Sequence, residues 1–242
     1  MTTSSDSLAD ALPITIADID AARARIAPYL TPTPLREYPQ LSEIAGAGMR
    51  VFVKHENHQP TNSFKIRNGL SFMTSLNADE RTRGVVAAST GNHGQGIAYG
   101  GKLFGVATTI CVPAGNNPDK TAAMRALGAT IVEEGRDYDE VVEKMYEISK
   151  RDGKVVAHST NDPRIVAGAG TMTREILEQQ PDLEALVIAT GGGSQAVGAI
   201  TVAREVSPRL EVFAVQAAGA PALHDSWHAH ERLTTAAVNT FA

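Results

Sequence analysis

One cysteine in 242 residues, Cys111, leaves no partner for an internal disulfide and no second thiol for a Cys-X-X-Cys metal knuckle. The chain therefore has to be held by its core, and its thiol economy fits a reducing, cytoplasmic compartment. Aromatic residues are scarce at 5%, and no block of Lys or Arg occurs in a chain of formal charge -5, which argues against nucleic acid or an anionic membrane as the main partner. No long apolar run and no basic leader appear in "MTTSSDSLADALPITIADID", so neither a transmembrane span nor a signal peptide is expected. The first dozen residues lack an apolar pattern and are expected to be mobile. What is present is ample hydrophobic content, 43%, enough for one large or two small domains.

The hydrophobic residues are arranged in alternation. "TIADIDAARARI" opens with Thr15 three residues before Asp18, a capping-box-like start to a first helix. After "RVFVKHEN" come the apolar runs "GVVAAS", "VATTICVP", "ATIVEE", "KVVAHS", "ALVIAT" and "EVFAVQ", separated by amphipathic segments such as "DYDEVVEKMYEISKRDG". Strand, helix, strand implies an α/β fold. Strands apolar along their whole length imply parallel sheets with helices on both faces. The sequence contains no repeat or long linker, so a second domain has to be inserted by short crossings, with Gly84 to Lys154 the natural insert and 1–83 plus 155–242 the larger domain.

Three segments carry possible chemistry. "ALVIAT" runs into "GGGSQAVGAI", where Gly191, Gly192 and Gly193 form a turn and Ser194 can begin a helix. Backbone N-H groups exposed by glycine, together with a helix N-terminus, suit a phosphate. A dinucleotide fold competes, because Gly191, Gly193 and Ala196 satisfy the loose G-x-G-x-x-G/A spacing, but the next strand ends at Gln216 where a ribose-binding acid belongs. A plain tight turn is the third possibility. In "ASTGNHGQGIAYG", Ser89, Thr90, Gly91, Asn92 and His93 present hydroxyl, amide and imidazole groups at a strand end, which could hold a carboxylate or simply cap a helix starting near His93 or Gly94. The third is Lys65 in "HENHQPTNSFKIRNG". A lone lysine is ordinarily a solvated surface residue, but Phe64, Ile66, Leu70 and Phe72 surround this one, so its amine is expected to be desolvated, of lowered pKa and nucleophilic.

Two other features have ordinary readings. "HDSWHAH" places His224, His228 and His230 near helical spacing with only Asp225 in support, a pattern of surface histidines rather than a metal site. Cys111 lies in an apolar strand, where an inert buried thiol is the default.

In their order and spacing, "SFKIR", "STGNHGQG" and "GGGS" resemble the fold-type II pyridoxal-phosphate enzymes, specifically the threonine/serine dehydratase and serine racemase branch. The resemblance runs from "TPTPL" through "NPDKTAAMRALGATIVEEG" and "AGAGTMTREILEQ" to "NTFA", nearly the whole chain. It implies that Lys65 carries the cofactor in covalent linkage, that Asn92 hydrogen-bonds the cofactor's 3'-oxygen, and that Gly191, Gly192, Gly193 and Ser194 bind its phosphate. The loop Ser89, Thr90, Gly91, Asn92, His93 would take the substrate carboxylate, with Ser63 helping to position substrate or cofactor. It further implies a small amino-acid substrate, a β-elimination giving a 2-oxo acid and ammonia, and a homo-oligomer, dimer or tetramer. Serine racemase or hydroxyaspartate ammonia-lyase activity, or an inactive fragment that only binds cofactor, are the alternatives, and a dinucleotide oxidoreductase comes last.

The chain departs from the family pattern at four places. Ser194 and Gln195 stand where dehydratases commonly read Gly-Leu, and Thr90 stands where racemases place serine and dehydratases alanine. Gln216 and Ala222 occupy the positions of the racemase-like cation-binding acids, so no metal is expected there. The family continues beyond "TFA" with further large-domain elements and the residue facing the pyridine nitrogen. The expectation is a C-terminally truncated member whose large domain has an open edge.

Overall fold

The computed structural model describes residues 13–235 and 238–240. The expectations for the first dozen residues and for the final Phe-Ala lie outside the described residues. Helix α1 (Ile16–Ile26) begins with a reciprocal capping box, in which the Thr15 hydroxyl accepts from the Asp18 N-H and the Asp18 carboxylate accepts from the Thr15 N-H. Its Ile19 and Ala22 bury against Val166, Ala167 and Val202. Strands β1 (Leu35–Glu37) and β2 (Phe52–Lys54) pair antiparallel around α2 (Pro39–Ala45), and a 3-10 turn at Glu56–His58 leads to α3 (Lys65–Ser75) and α4 (Ala78–Arg83).

The six apolar runs are strands in the places read for them. β3 (Val85–Ala88), β4 (Thr108–Val112), β5 (Thr130–Glu133) and β6 (Val155–Val156) form a parallel sheet in the order β5-β4-β3-β6, which takes in two residues beyond Lys154. Helices α5 (Asn92–Phe104), α6 (Pro118–Ala126) and α7 (Tyr138–Asp152) connect them. One face of β3 and β4 packs Val85, Ala87, Ile110 and Val112 against Ile97 and Met124, and the other packs Val86, Ala88 and Cys111 against Val141, Met145 and Ile148. Both strands are wholly buried, including Thr108 and Thr109 at the start of β4, as near-continuous apolar strands require.

After α8 (Pro163–Gln179), the chain forms β7 (Ala185–Ala189), α9 (Ser194–Val206), β8 (Glu211–Val215) and α10 (Ala222–Ala229). β7 and β8 pair parallel, and among the described residues this second parallel sheet has only those two strands. Its inner face, Leu186 and Val212, packs on the core of α1, α8 and α9. The opposite face is open: Val187, Phe213 and Val215 are 69%, 49% and 51% exposed. The covering on both faces that the apolar runs imply is thus complete for the first sheet and one-sided for the second.

The helices between the sheets touch through glycine. A side chain at Gly69 of α3 would collide with the Gly96 carbonyl of α5, and one at Gly96 would collide with the Lys65 carbonyl. On the other flank of α3, a Cβ at Gly168 of α8 would lie 2.6 Å from the Arg67 carbonyl oxygen, and one at Gly198 of α9 would lie 2.6 Å from the Gly170 nitrogen. The four helices α5, α3, α8 and α9 therefore stack backbone to backbone, and that stacking brings the ends of the two parallel sheets together.

Candidate active site

Lys65 is the first residue of α3. Its backbone N-H donates to the hydroxyl of buried Ser63 at 3.2 Å, and its Nζ lies 4.9 Å from the Phe64 ring centre and 3.4 Å from the Ser194 hydroxyl. Burial pushes the amine's pKa down to about 8. Near pH 7 roughly a tenth of an amine so placed is neutral, far more than of a solvated lysine, and that fraction is a nucleophile and a base.

Ser194 is buried at the start of α9. The turn before it needs glycine: Gly193 has φ +94°, a region side chains rarely enter, and a side chain at Gly192 would collide with Thr160. Gly191 faces open space. Gln216, at the end of β8, donates to the Gly191 carbonyl at 3.4 Å and accepts from the His224 N-H at 2.9 Å, so the side chain standing where a dinucleotide site has its acid ties the turn to α10. The result is an open backbone cradle at a 13-residue helix N-terminus, beside the Lys65 amine.

The second loop is shaped by side chains. β3 is followed by Ser89, whose buried hydroxyl accepts from the N-H groups of Gly91 (3.1 Å) and Gly94 (2.8 Å) and curls the chain into α5. The helix starts at Asn92, slightly earlier than the spacing suggests, and its first-turn N-H groups have no intrahelical acceptor. Asn92 and Thr90 are exposed; His93 is buried, with Nε2 2.9 Å from the Ala157 carbonyl. A carbonyl only accepts, so Nε2 carries the proton and Nδ1 is a buried acceptor with no partner among the described residues. Burial lowers the His93 pKa to about 4, with the Ala157 hydrogen bond opposing and the Lys65 charge contributing. Gly96, one helical turn past Asn92, lies against the Lys65 carbonyl, so this loop and Lys65 share one end of the α3–α5 contact.

Arg67 sits two residues past Lys65 in "SFKIR", a segment whose arginine the sequence reading left without a role. Buried, it makes paired hydrogen bonds to Glu56 (both 2.8 Å) and to Glu175 of α8 (both 3.0 Å). Lys54 joins Glu175 at 2.5 Å, and Thr33 bonds both carboxylates. Burial pushes the Glu175 carboxyl up, but the Arg67 and Lys54 bonds outweigh it and hold the group below its usual range. Two cations and two anions, mutually satisfied, thus anchor the turn before Lys65 to β2 and α8. A sequence signal for this existed only in the isolated charges within apolar surroundings.

The remaining candidates lie elsewhere. His224 and His228 stack on α10 with ring centres 4.5 Å apart, His230 ends that helix, and among the described residues no group of three or more metal-ligating side chains comes together. Cys111 is fully buried in β4, its pKa raised by burial to about 11.

The family model for pyridoxal-phosphate dependent enzymes matches residues 26–242. The chain belongs to that family. L-threonine ammonia-lyase of Thermotoga maritima is 38% identical over 210 residues, which is 87% of this chain and 52% of that protein, so the chain spans about half that relative's length. Among solved structures, maize serine racemase superposes with a TM-score of 0.89 at 27% identity over 93% of this chain and 68% of its own. The processed form of threonine deaminase isoform 2 from Solanum lycopersicum gives 0.86 at 31% identity over 100% and 64%. Both carry the fold-type II architecture seen here.

For a pyridoxal-phosphate dependent enzyme the donor set fits the cofactor. Lys65 offers a buried amine of lowered pKa, 3.4 Å from Ser194. Gly191 and its neighbours offer an open turn with backbone donors at a helix start.

Proposed function

We propose that this chain is a threonine/serine ammonia-lyase, removing the β-hydroxyl of a hydroxy amino acid to give a 2-oxo acid and ammonia. The observation that carries the reading is the juxtaposition of the Lys65 amine with the Ser194 end of the glycine turn, together with the likeness to proteins named for threonine deamination. In this reading Lys65 holds the cofactor, Gly191, Gly192, Gly193 and Ser194 hold its phosphate, and Asn92 holds the 3'-oxygen. Ser89, Thr90, Gly91, Asn92 and His93 take the substrate carboxylate, with Ser63 beside them. When bound, pyridoxal phosphate delocalises the electron pair left at the substrate's α-carbon.

The chain's own groups do the rest. The Lys65 amine, once free, takes the α-proton at Nζ; its lowered pKa supplies the neutral base this needs. His93, held neutral by its burial, places no second positive charge beside that amine. The product released after loss of the hydroxyl hydrolyses to pyruvate from serine or 2-oxobutanoate from threonine. The four-stranded sheet, with residues 84–154 as a small domain set into 1–83 and 155–242, carries the Ser89–His93 loop and would close it over the substrate. The protein is read as a cytoplasmic homo-oligomer, and among the described residues no helix is long and apolar enough to cross a membrane.

Addition of pyridoxal phosphate to the purified chain produces a visible absorbance band, and L-threonine or L-serine then yields keto acid. Lys65→Ala abolishes the band and lowers turnover by about 10² to 10⁴. An unchanged band in Lys65→Ala sinks the assignment, and D-serine in place of keto acid would move the reading to racemisation through the exposed Thr90 hydroxyl.

A further inference from the structure

The Ser89–His93 loop carries no positive charge of its own, since His93 is buried and neutral and the other four residues are uncharged. A cation nonetheless lies on it. A Cβ built at Gly91 would stand 3.1 Å from Cδ, 3.6 Å from Cε and 3.6 Å from Nζ of Lys120, so the lysine's stem runs along the loop backbone at the one position without a side chain. Lys120 belongs to the first turn of α6, whose place is set independently. Asn117 accepts from the N-H groups of Asp119 (2.9 Å) and Lys120 (3.2 Å), the Asn116 amide donates to Thr121 at 2.9 Å, and buried Met124 fills the space that a side chain at Gly94 would take. Among the described residues no carboxylate pairs with the Lys120 ammonium, whereas Arg164 of α8 is paired with Asp162 and Glu80.

An unpaired ammonium held against a loop of uncharged donors is half of an ion pair. We propose that Lys120 contacts the α-carboxylate of the amino-acid substrate, supplying the cation that the Ser89–His93 loop lacks. The inference rests on the reading of that loop as the carboxylate site. Gly91 lets the Lys120 stem lie close to the loop backbone: a side chain there would stand 3.1 Å from Cδ and require the stem to give way slightly. Charge-assisted hydrogen bonds of this kind exceed neutral ones, and the backbone donors of the loop would share the same anion.

The test uses the chain loaded with pyridoxal phosphate, titrated by calorimetry and by the change in the visible band with L-threonine, L-serine, 3-hydroxyaspartate and L-threoninamide. Lys120→Met is expected to weaken the three acids by about 10- to 100-fold and to leave threoninamide, which lacks the carboxylate charge, within a factor of about two. Lys120→Arg should recover most of the loss, and cofactor uptake should be unchanged in both variants. Equal affinity of Lys120→Met and wild type for threonine, in a wild type that does respond to threonine, overturns the inference and leaves the lyase reading standing. A loss confined to 3-hydroxyaspartate overturns the α-carboxylate assignment in favour of a second carboxylate, and an equal loss for threoninamide, or loss of cofactor uptake, makes Lys120 structural. A wild type that binds cofactor but none of the amino acids overturns the lyase reading and this inference with it.

Discussion

Two strand-loop-helix units end at the same site and are built in opposite ways. In β3–α5 the loop is moulded by side chains: Ser89 satisfies two N-H groups, His93 is buried beneath, and Lys120 lies across Gly91. In β7–α9 the loop is three glycines with Gly191 in open space and only Ser194 buried. The sheets behind them differ in the same sense, since β3 and β4 are buried on both faces while Val187, Phe213 and Val215 leave one face of β7–β8 bare. A phosphate needs little more than backbone donors and a helix start, whereas an amino acid needs shaped, side-chain recognition. The moulded loop belongs to the rigidly covered sheet, and the bare one can tolerate looser support.

The comparison can be broken most severely at the charge network that joins α3 to α8, the two helices lying between these units. Arg67→Met leaves Glu56 buried without its cation and Glu175 with Lys54 alone, and is expected to cost about 3–5 kcal/mol, read as a fall in the denaturant midpoint. Loss of cofactor uptake should accompany it, because the turn before Lys65 is released. A value under about 1 kcal/mol would mean that the network is dispensable. Next comes the covered sheet alone. Ile110→Ala removes a fully buried side chain between β3 and β5 and should cost about 2–5 kcal/mol in the same measurement.

Acid sharpens the contrast further. The His93 pKa lies near 4 in the folded chain and near 6.5 in the unfolded one, so between these values the unfolded state binds more protons and stability is lost as pH falls. The free energy of unfolding should decline from pH 6.5 to 4 by on the order of 1–3 kcal/mol, and His93→Gln should flatten that limb. By the same sign argument Lys65, near 8 when folded and 10.5 when unfolded, makes the cofactor-free chain more stable as pH rises from 8 to 10.5, a rise that Lys65→Met removes.

On the open side the effects shrink. Gly193→Ala forces a side chain into φ +94° and should cost about 1–2 kcal/mol, seen as weaker uptake of pyridoxal phosphate with L-threonine recognition otherwise intact. Val187→Thr, on the bare face, should change stability by no more than about 0.5 kcal/mol. A cost like that of Ile110→Ala would show that the face is covered in solution.

Local chemistry made much of this legible. Thr15 and Asp18 announce α1 because a capping box is a matter of residues three apart, and the six apolar runs announce β3 to β8 because burial has a period. Asn92 and the Gly191–Ser194 turn stand out because glycines and polar groups at strand ends break that pattern, and Lys65 because it is a lone charge among Phe64, Ile66, Leu70 and Phe72. Arg67, the glycine contacts and Lys120 did not stand out. Each acquires its meaning from a residue far along the chain: Glu175 for Arg67, Gly198 for Gly170, and Gly91 for Lys120. Spacing within a segment carries no information about such partners.

By itself, then, the sequence determined the α/β alternation, since propensity, capping and hydrophobic period act within a few residues, and its family motifs pointed to the class of cofactor chemistry. Only the tertiary structure decided that one parallel sheet is covered on both faces and the other on one, and that Lys65 lies 3.4 Å from Ser194, 129 residues away. Those outcomes depend on backbones meeting at Gly69, Gly96, Gly168 and Gly198, where the absence of a side chain lets helices approach closely enough to join two sites into one.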